Sequence, residues 1–293
     1  MTMELHLFLP QMRMTHAEIV ERALAAEAVG FEGVAFMDHL APPLAAAAEM
    51  WEAMSLAGWV LANTTTLTVG HLVLCDSLRH PAVLARQVTS LDHASAGRFE
   101  LGIGWGSVPD ELRTFGICGD AASVRAARLR ETLEILRGLW SGDPVDHIGE
   151  HFTLIGAQQL PVPTRRIPIT IGGVGDRTLE LVRDHADWWN VPAHRLEWID
   201  SSLGRTGDRR ISVQVIVALL EDGSDHDDAV ASLRRRLGDS PMTADAMVGT
   251  VDQIVEQIAA FEERGVERIY PWFSDFAPVS TLERFAPVIE ALR

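Results

Sequence analysis

Short apolar runs recur along the chain, each followed by a longer stretch in which apolar residues return every three or four positions. The runs 67–74 (LTVGHLVL) and 211–219 (ISVQVIVAL) are nearly continuous in β-branched and apolar residues, as a strand buried on both faces requires. The pattern predicts strands over 5–9, 33–37, 67–74, 99–104, 167–171, 188–191, 211–219 and 268–273. Helical periodicity predicts helices over 16–29, 49–62, 81–94, 123–140, 177–185, 229–237, 250–264 and 281–292. Thr15 ahead of Glu18, and Thr250 ahead of Gln253, carry the signature of helix N-caps, and Gly30, Gly97 and Gly265 stand where helices should stop.

This strand–helix alternation predicts an α/β chain folded as a (β/α)8 barrel. Periodicity alone does not show closure, so an open doubly wound sheet stays as the alternative. No Pro/Ser-rich linker divides the chain, and residues 1–293 read as one domain with a small alanine run at 45–48. Residues 141–166 break the rhythm and predict an insertion made of a short hairpin and an irregular loop.

Composition narrows the chemistry. All 25 basic residues are arginine, so Schiff-base catalysis, lysine-anchored pyridoxal phosphate and a Walker A loop have no residue to work with. A net charge of −16 argues against nucleic acid or an anionic membrane as partner. Two cysteines, Cys75 and Cys118, do not make a disulfide framework and fit a reducing cytoplasm. The start MTMELHLFLP lacks a basic segment and a cleavage site, so no signal peptide is expected. No run approaches the roughly 18 apolar residues of a membrane span.

In a barrel the reactive groups follow the strands, at the C-terminal face. Four places qualify. Asp38-His39 follows the second strand; a histidine there can exchange a proton near neutrality, with the adjacent carboxylate holding its tautomer. Alone, the pair reads more readily as a loop cap beside a packed ring. The third strand ends in Gly70-His71-Leu72-Val73-Leu74-Cys75, followed by Arg79-His80-Pro81, which also reads as a plain buried strand. After the fourth strand, Gly102-Ile103-Gly104-Trp105-Gly106 lets a flat ring approach the backbone with Trp105 as a wall, or simply makes a tight turn. Ile171-Gly172-Gly173-Val174-Gly175-Asp176-Arg177 is a glycine-rich helix start suited to a phosphate, or an ordinary turn. His147 and His151 flank Gly149 in the insertion rather than lying on a zinc-protease helix, and no metal site is expected.

Taken in order, these places are more specific than any one alone. The runs 28–40 (AVGFEGVAFMDHL), 66–74 (TLTVGHLVL), 97–106 (GRFELGIGWG), 149–152 (GEHF), 171–173 (IGG), 186–190 (ADWWN) and 248–250 (VGT) resemble those of the bacterial luciferase-like flavin enzymes. The Asp38-His39-Leu40 form looks more like the branch that uses the deazaflavin coenzyme F420 than the branch that uses FMN. The resemblance implies a luciferase-like (β/α)8 barrel, a small-molecule substrate and a homodimer. It implies His39 and Asp38 as catalytic residues, His39 in proton transfer and Asp38 also as a cofactor contact. It further implies a cis Leu72–Val73 peptide behind the ring and a phosphate loop at Gly172-Gly173-Val174 with Arg177. Trp105, Gly106, Ser107, Asp110 and Asn190 complete the expected cofactor set.

This chain departs from the sugar-phosphate dehydrogenases it resembles. They carry a glutamate where Ser107 stands, a tryptophan where Pro42-Pro43 stands, and lysines on the sugar phosphate. Asp110 or Glu111 is the nearest carboxylate to replace the missing one. The expectation is an F420-dependent oxidoreductase exchanging a hydride at the deazaflavin C5. The alternatives are an FMN-dependent monooxygenase, a non-catalytic flavin-binding barrel, and a metal-dependent or phosphate-handling barrel lyase.

Overall fold

The structure is a computed structural model that describes residues 3–43, 48–202, 204–221 and 223–293. The alanine run lies outside these residues except for Ala48. The strands are β1 (Glu4–Phe8), β2 (Gly33–Phe36), β3 (Thr68–His71), β4 (Leu74–Cys75), β5 (Leu101–Gly104), β6 (Val145–Ile148), β7 (Thr153–Ala157), β8 (Ile169–Gly172), β9 (Trp188–Pro192), β10 (Arg210–Leu219), β11 (Met247–Gly249) and β12 (Val266–Phe273). The helices are α1 (His16–Val29), α2 (Ala53–Asn63), α3 (Pro81–Ala94), α4 (Pro109–Thr114), α5 (Ala122–Leu139), α6 (Asp176–His185), α7 (Glu197–Ser202), α8 (His226–Leu237), α9 (Pro241–Ala244), α10 (Val251–Glu262) and α11 (Val279–Ala291).

Ten strands form one parallel sheet in the order β3-β2-β1-β12-β10-β9-β8-β5-β4, with β11 beside the end of β10. The predicted third strand is divided into β3 and β4 around the Leu72–Val73 peptide, which is cis as the resemblance implied. Closure comes where β3 meets the approach to β5: Val69 N donates to Arg98 O at 2.8 Å and Glu100 N to Val69 O at 3.0 Å. The sheet therefore returns on itself as a (β/α)8 barrel, and the open-sheet alternative falls.

Side chains alternate along the staves with the two-residue period of a strand. Leu5, Leu7, Val34, Phe36, Val213, Val215 and Ile269 face the helices, whereas Phe8, Ala35, Met37, Ile216, Tyr270 and Trp272 fill the barrel. Two faces buried at once explain the nearly unbroken hydrophobic runs.

Helix boundaries follow their caps. Thr15 and Glu18 exchange hydrogen bonds at the start of α1, and Gly30 ends it at φ 102°, a left-handed conformation that a Cβ disfavours. Helix α2 starts later than predicted, because Glu52 caps the amides of Met54 and Ser55. The insertion holds the predicted hairpin, β6 paired antiparallel with β7. His147 and the amides of Glu150, His151 and Phe152 all turn to one carboxylate, Glu131 of α5, which pins the hairpin to the barrel.

Candidate active site

A cavity of about 430 Å³ opens at the C-terminal ends of the staves. Asp38, His39, Leu72, Val73, Trp105, Gly106, Ser107, Gly172, Gly173, Val174 and Asn190 all line it, drawn from five different strand ends. Two predicted residues do not. Asp110 points outward and pairs with Arg113 on its own helix, and Arg177 is an exposed residue of the first turn of α6. Consecutive residues of a helix lie about 100° apart, so when Glu111 faces the cavity Asp110 faces away.

That rotation decides which carboxylate serves the site. Glu111 Oε2 lies 2.9 Å from His39 Nδ1, while Oε1 accepts from the amides of Leu40 at 2.6 Å and Ala41 at 3.0 Å. Asp38 does not hold His39. Its carboxylate takes both guanidinium nitrogens of Arg79 and the amide of Cys75 at 2.7 Å, and its side chain is 3% exposed. Arg79 reaches on to Glu52 at 2.8 Å. Burial works against the Arg79 charge, but its hydrogen bonds to Asp38 and Glu52 outweigh this and raise its pKa. The expectation that the neighbouring aspartate sets the histidine tautomer is corrected: Asp38 is an anchor joining β2 to the turn after β4.

The back wall is Leu72, Val73 and Leu74, with Gly104 opposite. A Cβ on Gly104 would come within 3.0 Å of Val73 Cγ2, and one on Gly102 within 1.8 Å of His71 O. Only glycines allow these strands to approach so closely. Cys75 adds a protonated thiol, because burial pushes its pKa up to about 11.

The glycine-rich loop expected to take the phosphate is fixed from behind. Gly173 N donates to Asn190 O at 3.1 Å, and Trp189 Nε1 donates to Gly173 O at 2.8 Å. Asn190 is itself held by Ser212 Oγ at 3.1 Å. Gly175 is the N-cap of α6 and supplies no side chain to the first-turn amides, and a Cβ on it would meet nothing within 4 Å. The amides therefore face open space, as an anion-binding helix start needs. A glycine-backed slot for a flat ring, leading to free amides for a phosphate, fits a flavin or deazaflavin nucleotide.

Cys75, Glu111, Thr178 and Gln214 are among the cavity-lining residues that the expected site set did not contain, and Arg79 stands behind them on Asp38. Arg79 and Glu111 stood inside motifs read from the sequence; Gln214 stood in an apolar strand run with no local signal.

With this geometry in place, kinship follows. The chain belongs to the luciferase-like monooxygenase family, whose model matches residues 3–199. It is 37% identical over 170 residues to an F420-dependent glucose-6-phosphate dehydrogenase of Mycobacterium avium, a match covering 54% of this chain and 48% of that protein. It is 28% identical over 228 residues to the Microbacterium testaceum protein of the same name, covering 74% of this chain and 68% of that one. The first of these matches thus spans about half the length of the relative. Among solved structures, an F420-dependent secondary alcohol dehydrogenase superposes with a TM-score of 0.85 at 21% identity, over the whole of both chains. The coenzyme F420 dependent tetrahydromethanopterin reductase of Methanopyrus kandleri does so with 0.82 at 17%, again over the whole of both. Both likenesses speak for the fold.

Proposed function

We propose that the protein is an F420-dependent oxidoreductase acting on a small organic substrate. The observation that carries this is the placement of His39 in a glycine-walled slot that leads to the uncapped amides of α6. The F420-dependent relatives support the choice of cofactor. The ring would lie against Leu72 and Val73, and the phosphate on the loop from Gly172 to Gly175. Asn190 and Trp189 hold that loop in shape, and Arg177 stands at its rim for the anionic tail.

Bound in this slot, F420 would supply hydride exchange at the deazaflavin C5. His39 moves the accompanying proton to or from the substrate oxygen, across a contact of about 3 Å. Arg79 holds the chain before His39 through Asp38, Glu111 holds the chain after it through the amides of Leu40 and Ala41, and Trp105 and Leu112 wall the slot. Ser107 leaves the position of the glutamate in the sugar-phosphate dehydrogenases without a carboxylate, and no lysine can grip a sugar phosphate. We read the chain as one domain that works as a homodimer in the cytoplasm; light scattering after size exclusion checks the dimer.

The deciding experiment is titration of tryptophan fluorescence with F420 and with FMN, followed by turnover. Saturable F420 binding is expected, with His39→Ala binding F420 normally but losing turnover roughly a hundredfold or more. Tight FMN binding without F420 binding overturns the reading in favour of a flavin monooxygenase.

A further inference from the structure

We propose that Glu111 is the positioning residue of this site. Its carboxylate fixes the proton of neutral His39 on Nδ1 and leaves Nε2 bare toward the substrate. The catalytic use of that nitrogen rests on the function proposed above; the tautomer does not.

The argument begins with what each atom can do. Backbone N–H groups only donate, so Glu111 Oε1 is the acceptor for both Leu40 and Ala41. A carboxylate is an anion at neutral pH, and with Oε1 taken by the two amides its other oxygen faces His39 Nδ1 at 2.9 Å. An anion can only accept there, so Nδ1 must donate. Neutral imidazole has one ring proton, and placing it on Nδ1 makes Nε2 an acceptor.

Among the described residues no other carboxylate competes for that role. The carboxylate nearest in sequence, Asp38, is taken by Arg79 and the Cys75 amide. Glu52 lies beyond Arg79 and is taken by it and by the start of α2. Cys75, also in the wall, keeps its proton through the ordinary range. Among the described residues, the charged groups around His39 are therefore Glu111 from α4 and the mutually bound Asp38 and Arg79. The side chains of His39 and Glu111 are 17% and 11% exposed, so water does little to screen the pair. Proton transfer from a substrate hydroxyl to Nε2 then creates an imidazolium already in contact with a fixed anion. Transfer in the other direction draws on the same stabilised cation.

Sequence position explains why α4 can do this. Pro109 starts the helix one turn after the fourth-stave glycines, and Leu112 is buried beside the site at 2% exposure. The buried Leu112 fixes the rotation that brings Glu111 to His39 and turns Asp110 away.

The test needs neither cofactor nor substrate at its first stage. The ring nitrogens of His39 are followed by NMR in the free protein labelled with 15N-histidine, assigned by their loss in His39→Ala. Above its titration, wild-type His39 is expected to carry hydrogen on Nδ1 and none on Nε2. In Glu111→Gln the amide oxygen keeps the two backbone bonds and the amide nitrogen donates to Nδ1. The proton is then expected on Nε2. Glu111→Asp, which retains an acceptor, is expected to keep the Nδ1–H form.

The second stage reads turnover with F420. Glu111→Gln is expected to lose roughly a hundredfold in kcat, with the low-pH limb of the profile displaced and F420 affinity within about twofold of wild type. A wild-type His39 protonated on Nε2 overturns the proposal, as does a Glu111→Gln variant with unchanged tautomer. If Glu111→Gln does not fold, the wild-type spectrum alone decides. Failure of F420 to bind, with the expected spectra, refutes the function while the positioning role stands.

Discussion

At the scale of single residues, the site depends on charges that are paired before any ligand arrives. Asp38 and Arg79 are both largely buried, and losing one partner leaves the other uncompensated. Asp38→Ala is therefore expected to lose roughly 3–5 kcal/mol of stability by urea unfolding, well beyond a surface substitution. A loss under about 1 kcal/mol would show that Arg79 finds other partners. Cys75 gives a chemical check on the same wall. Its thiol is buried and its pKa is raised to about 11, so iodoacetamide at pH 8 is expected to modify Cys118 first, as read by mass spectrometry. Equal labelling of both would show the wall to be open. His39 was legible in the sequence because it follows a strand beside an acid. That Asp38 anchors and Glu111 orients was not, because partners 72 residues apart leave no local pattern.

At the scale of elements, carboxylates fasten helices to the loops that carry the staves. Glu52 caps α2 and meets Arg79, and Glu27 of α1 collects the amides of Thr65, Thr66 and Leu67 ahead of β3. Burial opposes both charges, yet the hydrogen bonds prevail and lower each pKa to about 2. Each thus stabilises the fold above its unfolded value of 4.5 and loses that contribution as pH falls toward 2. His71 of β3 works from the other side. Burial lowers its pKa from 6.5 to about 4, with its Nε2–H given to Ala53 O at the start of α2. Between those values the unfolded chain takes up a proton that the folded one refuses, so stability falls as pH drops from 6.5 toward 4, by roughly 3 kcal/mol for a fully buried ring. Burial first, then Arg268 and Arg210, depress His6 in the same direction. The melting temperature is expected to fall below pH 6.5 and more steeply below 4.5; a flat profile from 6.5 to 4.5 would contradict this account. The long periodic elements were readable because their apolar faces recur many times. The short ones, α4, α7, α9 and β11, span too few residues to show a period, and one of them carries Glu111.

At the scale of the whole molecule, the barrel is closed at its floor by ion pairs as well as by strands. Arg268 of β12 donates to Glu4 of β1 at 2.8 Å, to Glu100 beside β5 at 2.7 Å, and to the Tyr270 hydroxyl at 3.1 Å. Its guanidinium lies 3.9 Å from the Trp188 ring centroid, and that of Arg210 lies 3.8 Å from it. Arg268→Met is expected to cost roughly 3–5 kcal/mol in urea unfolding, since it strands Glu100 in the floor and leaves Glu4 with Arg210 alone. Gly102→Ala tests closure directly. Its Cβ would overlap the His71 carbonyl, so poor folding or a large loss of stability is expected, and a native melting temperature would show the staves to be less tightly fixed.

The sequence by itself determined the number and order of staves, the insertion, the family and the positions of His39 and the glycine-rich loops. Periodicity, turn residues and ordered motifs are local properties, and a linear reading recovers them. It also determined that anions in this protein meet arginine, histidine or backbone amides, never lysine. Tertiary structure alone decided that the sheet closes, that Arg79 occupies Asp38, and that Glu111 rather than Asp110 faces His39. Each of these depends on a rotation or a contact between distant segments. Such contacts are set by packing of the whole barrel, and adjacent residues carry no record of them.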